Sequence, residues 1–168
     1  MTLSILSTCA KTKFTAAFLQ KNIELPNEFL HFLETEDYQS LDQVYQASLK
    51  PQGFLWKFLE KYCEFSNLEG ILAIRSAPGD DQGIWHDDGS RALAFSLSLN
   101  LKPESIEGGE LLLRPRFQYP WNEDTGATRF NVRDYGTILI FKTGLEGFEH
   151  RVTAVTKGKR IVLAGWCS

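Results

Sequence analysis

The hydrophobic period of this chain changes near residue 70, and nothing else in the sequence constrains the fold as much. Upstream, apolar residues recur at helical spacing, most clearly Phe54, Leu55, Phe58, Leu59 and Tyr62, which place one stripe along a helix predicted over about 53–65. Ser40 followed by Gln43 reads as a capping box opening a second short helix toward Leu49, and Pro26 with Asn27 opens a first. The first part of the chain is therefore expected to be helical. From Ile71 onward the period falls to two, with β-branched residues gathered in runs at 71–76, 92–101, 110–114, 137–143, 152–156 and 160–166. Pro78-Gly79, Gly108-Gly109, Gly144, Gly147 and Lys157-Gly158-Lys159 punctuate these runs as turns. Short strands at this spacing predict an antiparallel barrel or double-sheet jelly roll, with the early helices on one face.

The 168 residues suit one domain at ~150 residues per domain, with 1–69 as its helical part and 70–168 as its β core. A net charge of −3 provides no overall basic field, so nucleic acid and anionic membrane surfaces are not expected partners. Cys9, Cys63 and Cys167 form no short-spaced pair and, being three, cannot all be bridged; they read as reduced thiols filling apolar space. The first residues lack a basic segment followed by a continuous apolar run, and no stretch approaches the ~20 apolar residues of a membrane span. A cytoplasmic protein is expected.

His86, Asp87 and Asp88 carry the most chemical information. On an extended segment alternate side chains share a face, so His86 and Asp88 point together while Asp87 points away. An imidazole and a carboxylate converging in this way are two adjacent ligands for a divalent metal. Of the 3 histidines in the chain, His150 is the available third ligand. Two histidines and one carboxylate on one face leave positions open for a cosubstrate and dioxygen, the arrangement of non-haem Fe(II) oxygenases, while the same residues admit zinc as a weaker alternative.

In order along the chain, Arg75-Ser76-Ala77-Pro78-Gly79-Asp80, His86-x-Asp88, Ser98-Leu99-Asn100, Gly108-Gly109-Glu110-Leu111, Gly136 with Phe141, His150-x-Val152 with Val155, Gly158-x-Arg160 and Trp166 make a string far more specific than HxD alone. This β half resembles the 2-oxoglutarate and Fe(II)-dependent dioxygenases, in particular the prolyl 4-hydroxylase-like branch. The resemblance implies an α+β, mainly β, fold: a double-stranded β-helix (jelly roll) with N-terminal helices packed on one face. It implies iron held by His86, Asp88 and His150, with 2-oxoglutarate as cosubstrate, dioxygen as oxidant and ascorbate as a candidate accessory. It also places Arg160 on the terminal carboxylate of 2-oxoglutarate. A buried dicarboxylate independently calls for the planar, always-charged fork of arginine, whereas Lys157 and Lys159 lie in a turn and read as solvated.

The chain departs from the family pattern at Ser76 and Ser98, where relatives often carry tyrosine. Without those phenols, the cosubstrate carboxylate is expected to rely on Arg160 with a small hydroxyl, Ser98 or Thr137. Along 92–100 the even positions are small and partly polar (Ala92, Ala94, Ser96, Ser98 and Asn100), and this face is expected to line the cavity. His31, among Phe29, Leu30, Phe32 and Leu33, reads as a surface or structural histidine, and Trp85 and Trp166 read as core. A long connection over 115–134, with Arg114 at its start, carries Arg116, Arg129 and Arg133 against Glu123 and Asp124, interleaved with Phe117, Tyr119, Trp121 and Phe130, a candidate substrate lid or else a solvated connection.

The expected activity is hydroxylation of a C–H bond in a peptide side chain or small molecule, with decarboxylation of 2-oxoglutarate to succinate and carbon dioxide. Asp88 disfavours halogenation, because halogenating relatives lack that carboxylate. A nucleic-acid demethylase is disfavoured by Trp166, which stands where that branch has a second arginine. The alternative from another class is a non-catalytic jelly-roll binding module that retains a metal site. A lower reading is a jelly-roll dioxygenase or hydrolase that does not use 2-oxoglutarate.

Overall fold

The computed structural model describes residues 10–116, 123–144 and 147–168. Three helices come early: α1 (Asn27–Glu34), α2 (Tyr38–Ser48) and α3 (Phe54–Leu59). Around and after them run β1 (Lys11–Thr12), β2 (Phe18–Asn22), β3 (Cys63–Glu64), β4 (Leu68–Ser76), β5 (Leu93–Ser98), β6 (Glu107–Gly108) and β7 (Leu111–Pro115). The remaining strands are β8 (Thr128–Phe130), β9 (Thr137–Lys142), β10 (Phe148–Val152), β11 (Val155–Lys157) and β12 (Lys159–Cys167). A five-stranded antiparallel sheet in the order β2-β9-β5-β12-β4 faces a three-stranded one in the order β10-β7-β8.

Two apolar layers follow from the period of two. The odd residues of β5, Leu93, Phe95 and Leu97, turn toward the helices and join Phe29, Leu41, Tyr45, Leu55 and Leu59 in the larger core. Ala94, on the opposite face, packs with Leu139 and Phe141 of β9 against Leu111, Leu113 and Phe130 of the smaller sheet. The helix α2 closes on the large sheet where Tyr45 donates its hydroxyl hydrogen to the Ala164 carbonyl at 2.7 Å. Gly70 permits this approach, since a Cβ there would lie 1.9 Å from the tyrosine oxygen.

Several expectations are corrected in detail. The N-terminal part is not purely helical, because β2 pairs with β9 from Phe18↔Phe141 to Asn22↔Thr137 and forms an edge of the large sheet. The helix α2 starts at Tyr38, ahead of the expected capping box, because Asp37 rather than Ser40 is its cap: the Asp37 carboxylate accepts from the Ser40 N–H at 3.1 Å. The helix α3 ends at Leu59, although Tyr62 and Phe65 still pack on the core. The expected strand over 152–156 divides into β10 and β11, and the 115–134 connection contains β8. Phe117, Tyr119 and Trp121 lie outside the described residues.

Cys63 and Cys167 are buried free thiols, as their apolar reading requires, and burial pushes Cys63 up to about 12. Cys9 lies outside the described residues. No helix among the described residues is long and apolar enough to cross a membrane.

Candidate active site

His86 and His150 meet in an isolated antiparallel bridge in which each backbone N–H donates to the other's carbonyl, at 3.1 and 2.8 Å. This pairing sets the two imidazoles side by side with ring centroids 4.2 Å apart. Gly83 permits the segment to run so close to β10, for a Cβ there would approach the Val152 carbonyl oxygen to 2.9 Å. The carboxylate arrives by a turn rather than by strand parity: Asp88 has φ 59° and Gly89 φ 65°. Asp is one of the few residues that enter the left-handed region at modest cost. One ligand atom from each of His86, Asp88 and His150 then falls within 4.8 Å of the others.

The Asp88 side chain is only 5% exposed, and its polar neighbours are His86 Nε2 at 3.5 Å, His150 Nε2 at 3.3 Å and the Thr143 hydroxyl at 3.4 Å. No lysine or arginine pairs with it among the described residues. Burial pushes His150 down to about 4, against the raising effect of Asp88, so its imidazole is neutral at physiological pH. His86 Nδ1 lies 2.9 Å from the Ile84 carbonyl, a contact that places the N–H on that nitrogen and turns Nε2 toward Asp88. Two imidazoles, one of them held neutral by burial, around a buried carboxylate with no lysine or arginine paired to it among the described residues are a donor set that a divalent cation completes.

Asp87 points away, as expected. Its carboxylate accepts from the Gly89 N–H at 3.0 Å and pairs with Arg116 Nε at 2.7 Å. Its carbonyl accepts from the Gly144 N–H at 2.6 Å and from the Thr143 hydroxyl at 2.8 Å. Thr143 thus braces the turn that presents Asp88. The sequence marked Thr143 only as the last residue of a strand run.

A cavity open at its mouth lies between the sheets. Ser96, Ser98 and Asn100 line it with Thr137, Leu139 and Arg160, as the polar part of the small face of 92–100 predicted, whereas Ala92 packs toward the helices and Ala94 joins the smaller core instead of lining the cavity. Leu139 lines this cavity, and Phe141, two residues on along the same face of β9, packs edge-on against the His150 ring at 5.0 Å. The cavity and the His–Asp–His cluster are therefore neighbours along one strand.

Arg160 is 5% exposed, and among the described residues its guanidinium has no hydrogen-bond or ion-pair partner. Burial, then Arg75 directly across the register, push it down to about 10, and Asp80 only partly offsets them. Asp80 is already engaged, receiving Arg75 Nε at 2.9 Å and the Val155 N–H at 2.6 Å. Although burial opposes it, these donors hold its carboxyl below the ordinary range. Gly109 leaves the arginine its space: a Cβ there would lie 2.7 Å from Arg160 Cδ.

Ser98 and Thr137 both line the cavity but differ from simple carboxylate donors. Ser98 donates to the Arg133 carbonyl and accepts from the Asn100 amide at 2.8 Å, and Thr137 contacts Asn22 at 3.4 Å. Ser76 is exposed, opposite Lys159, and does not line the cavity. Lys157 and Lys159 pair with Glu107 and Glu36 outside it, and His31 is exposed on α1. Trp85 is buried between the guanidiniums of Arg114 and Arg151, 4.1 and 5.3 Å from its ring centroid.

Residues 74–168 match the family model of the 2OG-Fe(II) oxygenase superfamily. A PKHD-type hydroxylase of Rippkaea orientalis is 32% identical over 85 residues, 51% of this chain and 31% of that protein, so the match spans about a third of the curated relative's length. In fold the chain is similar to a prolyl-4-hydroxylase of Pseudomonas putida (TM-score 0.56, 19% identity, 91% of this chain and 85% of that one). It is similar, too, to a prolyl hydroxylase of Trichoplax adhaerens in complex with a hypoxia inducible factor oxygen degradation domain peptide fragment (TM-score 0.56, 14% identity, 90% and 83%). Since the family match takes in more than half of the chain and contains His86, Asp88, His150 and Arg160, the chain belongs to the 2OG-Fe(II) oxygenase superfamily.

Proposed function

We propose that this protein is a non-haem Fe(II) and 2-oxoglutarate-dependent hydroxylase acting on a C–H bond of a peptide side chain or small molecule, with His86, Asp88 and His150 as the iron ligands. The observation that carries this reading is the juxtaposition of an uncompensated buried carboxylate between two imidazoles with an unpartnered buried arginine in the adjoining cavity. The first fits a dication and the second a carboxylate. Bound there, Fe(II) with 2-oxoglutarate and dioxygen supplies the oxidising equivalents for hydroxylation, with succinate and carbon dioxide as by-products.

The chain's own residues bind and orient. Ile84 sets the His86 tautomer through its carbonyl, Thr143 braces the Asp88 turn, and Phe141 packs edge-on against the His150 ring. Arg160 receives the distal carboxylate of the cosubstrate, and the apolar walls at Leu111, Phe130 and Leu139 limit water around it. The binding-module alternative leaves Arg160 buried as a cation with nothing to hold, which disfavours it.

The test is anaerobic calorimetric titration of Fe(II) into the protein, paired with an aerobic assay of 2-oxoglutarate conversion to succinate, with and without ascorbate. One Fe(II) should bind to wild type and to Asp87→Ala, and none to Asp88→Ala. Unaltered iron binding by Asp88→Ala would overturn the ligand assignment, and iron binding with no succinate from any preparation would favour the binding module.

A further inference from the structure

Resting on this reading, we infer that Arg133 is a second cosubstrate-anchoring residue, which together with Arg160 makes the cavity a doubly cationic seat for the distal carboxylate of 2-oxoglutarate. Of the residues lining the cavity, two are arginines, Arg133 and Arg160, and none is acidic. A cavity so charged is complementary to a dicarboxylate and hostile to a neutral or cationic occupant.

Arg133 has the features of a side chain held ready for a ligand. Its Nε is buried without a hydrogen-bond partner, and no carboxylate pairs with its guanidinium among the described residues. The guanidinium carbon lies 5.7 Å from the ring centroid of Phe130, itself a wall of the cavity. Leaving a shielded charged donor unsatisfied is costly, and a ligand oxygen would remove that cost.

The backbone that carries Arg133 is fixed by the residues that line the same cavity. Ser98 donates its hydroxyl hydrogen to the Arg133 carbonyl, and the Gly136 N–H donates to the Ser98 carbonyl at 2.9 Å. Ser98 in turn accepts from the Asn100 side chain, whose oxygen accepts from the Ile161 N–H at 2.7 Å, next to Arg160. A serine is small enough to tie this loop to β5, so that the loop's arginine lines the same cavity as Arg160. Position 98 then contributes to cosubstrate binding by placing Arg133.

The experiment is calorimetric titration of two ligands into anaerobic Fe(II)-loaded protein: 2-oxoglutarate, and 2-oxobutyrate, which keeps the 2-oxo acid and lacks the distal carboxylate. Arg133→Gln should weaken 2-oxoglutarate by roughly 10- to 100-fold, the range for one charge-assisted hydrogen-bonding partner, and leave 2-oxobutyrate unchanged. Arg133→Lys, which retains charge without the fork, should fall between wild type and Arg133→Gln. Thermal melts of the ligand-free variants establish that each is folded. Equal weakening of both ligands, or of neither, overturns the inference. If Arg160→Ala weakens 2-oxoglutarate while both Arg133 variants match wild type, only the role of Arg133 fails; if Arg160→Ala has no effect either, the cosubstrate reading of the cavity fails with it.

Discussion

Arginines are buried on both sides of the three-stranded sheet, under opposite conditions. On its outer side, away from Leu111 and Leu113, Arg114 is 1% exposed and held by the chain's own groups: its Nε meets Glu149 at 2.9 Å, its Nη1 donates to the Glu123 carbonyl at 2.6 Å, and its guanidinium lies over Trp85. Arg151, on the same side, pairs with Asp124 and flanks the same indole. On the inner side Arg160 is almost as deeply buried with no such partner, and Arg133 adds a second unpaired guanidinium. A buried charge with its counter-charge supplied by the chain holds the fold together, whereas one without it costs stability until a ligand arrives.

Breaking the outer set should therefore produce the largest loss of stability. Removing Arg114 leaves the largely shielded Glu149, 15% exposed, without its guanidinium partner, a loss expected toward the lower end of the about 3–5 kcal/mol seen for buried pairs. Arg114→Ala should lower the urea midpoint accordingly, while the double replacement Arg114→Met with Glu149→Leu should recover most of the loss. A loss no larger in Arg114→Ala than in the double variant would mean that the pairing does not distinguish the two sides.

The sequence displayed these regions unequally. Strands β5, β9 and β12 were legible because alternate residues face different layers, Leu97 toward the helices and Ser96 or Ser98 toward the cavity. The edge strand β2 was not, because Phe18–Asn22 turns polar at Gln20, Lys21 and Asn22 and acquires its pairing from residues 137–141, far along the chain. Three residues in β8 are too few to show a period. At the site, HxD pointed to His86 and Asp88 by a parity that holds only in part, since Asp88 reaches the cluster through a left-handed turn. Arg133 was marked only as one of the arginines of a candidate lid and not as a cavity residue, because its place depends on a hydrogen bond to Ser98 across 35 residues.

On the inner side the expectation reverses. Arg160→Ala should weaken 2-oxoglutarate binding by roughly 2–5 kcal/mol, about 30-fold to several-thousand-fold, with Arg160→Lys rescuing only part and iron binding retained. Stability should move the other way. Arg160 is a base whose folded pKa is pushed down to about 10, well below the ordinary arginine range, by its burial and then by Arg75, so the folded state disfavours its charged form. That penalty is fully present throughout the neutral range and eases only as pH rises above about 10. At neutral pH, Arg160→Met should therefore leave the ligand-free protein as stable as wild type or more so, measured by urea unfolding. A marked loss would show that Arg160 has a structural partner and belongs with Arg114.

The smallest effect is expected where cations are paired but exposed, and it separates pairing from burial. Lys157 meets Glu107 at 2.8 Å, yet the two side chains are 66% and 62% exposed. The hydrogen bond to Glu107, then its charge, raise the Lys157 pKa, so the pair is formed throughout the neutral range. Water screens it and both side chains lose freedom in making it, so little net stability remains. Lys157→Ala should give a urea midpoint indistinguishable from wild type, and raising the salt concentration should not open a gap between them. Because Lys157 faces Glu107 rather than the cavity, the same variant should bind 2-oxoglutarate as wild type does. A loss of cosubstrate affinity in Lys157→Ala would move the anchoring charge out of the buried cavity and into the turn before Arg160, and would remove the reason for treating the inner arginines as a ligand seat.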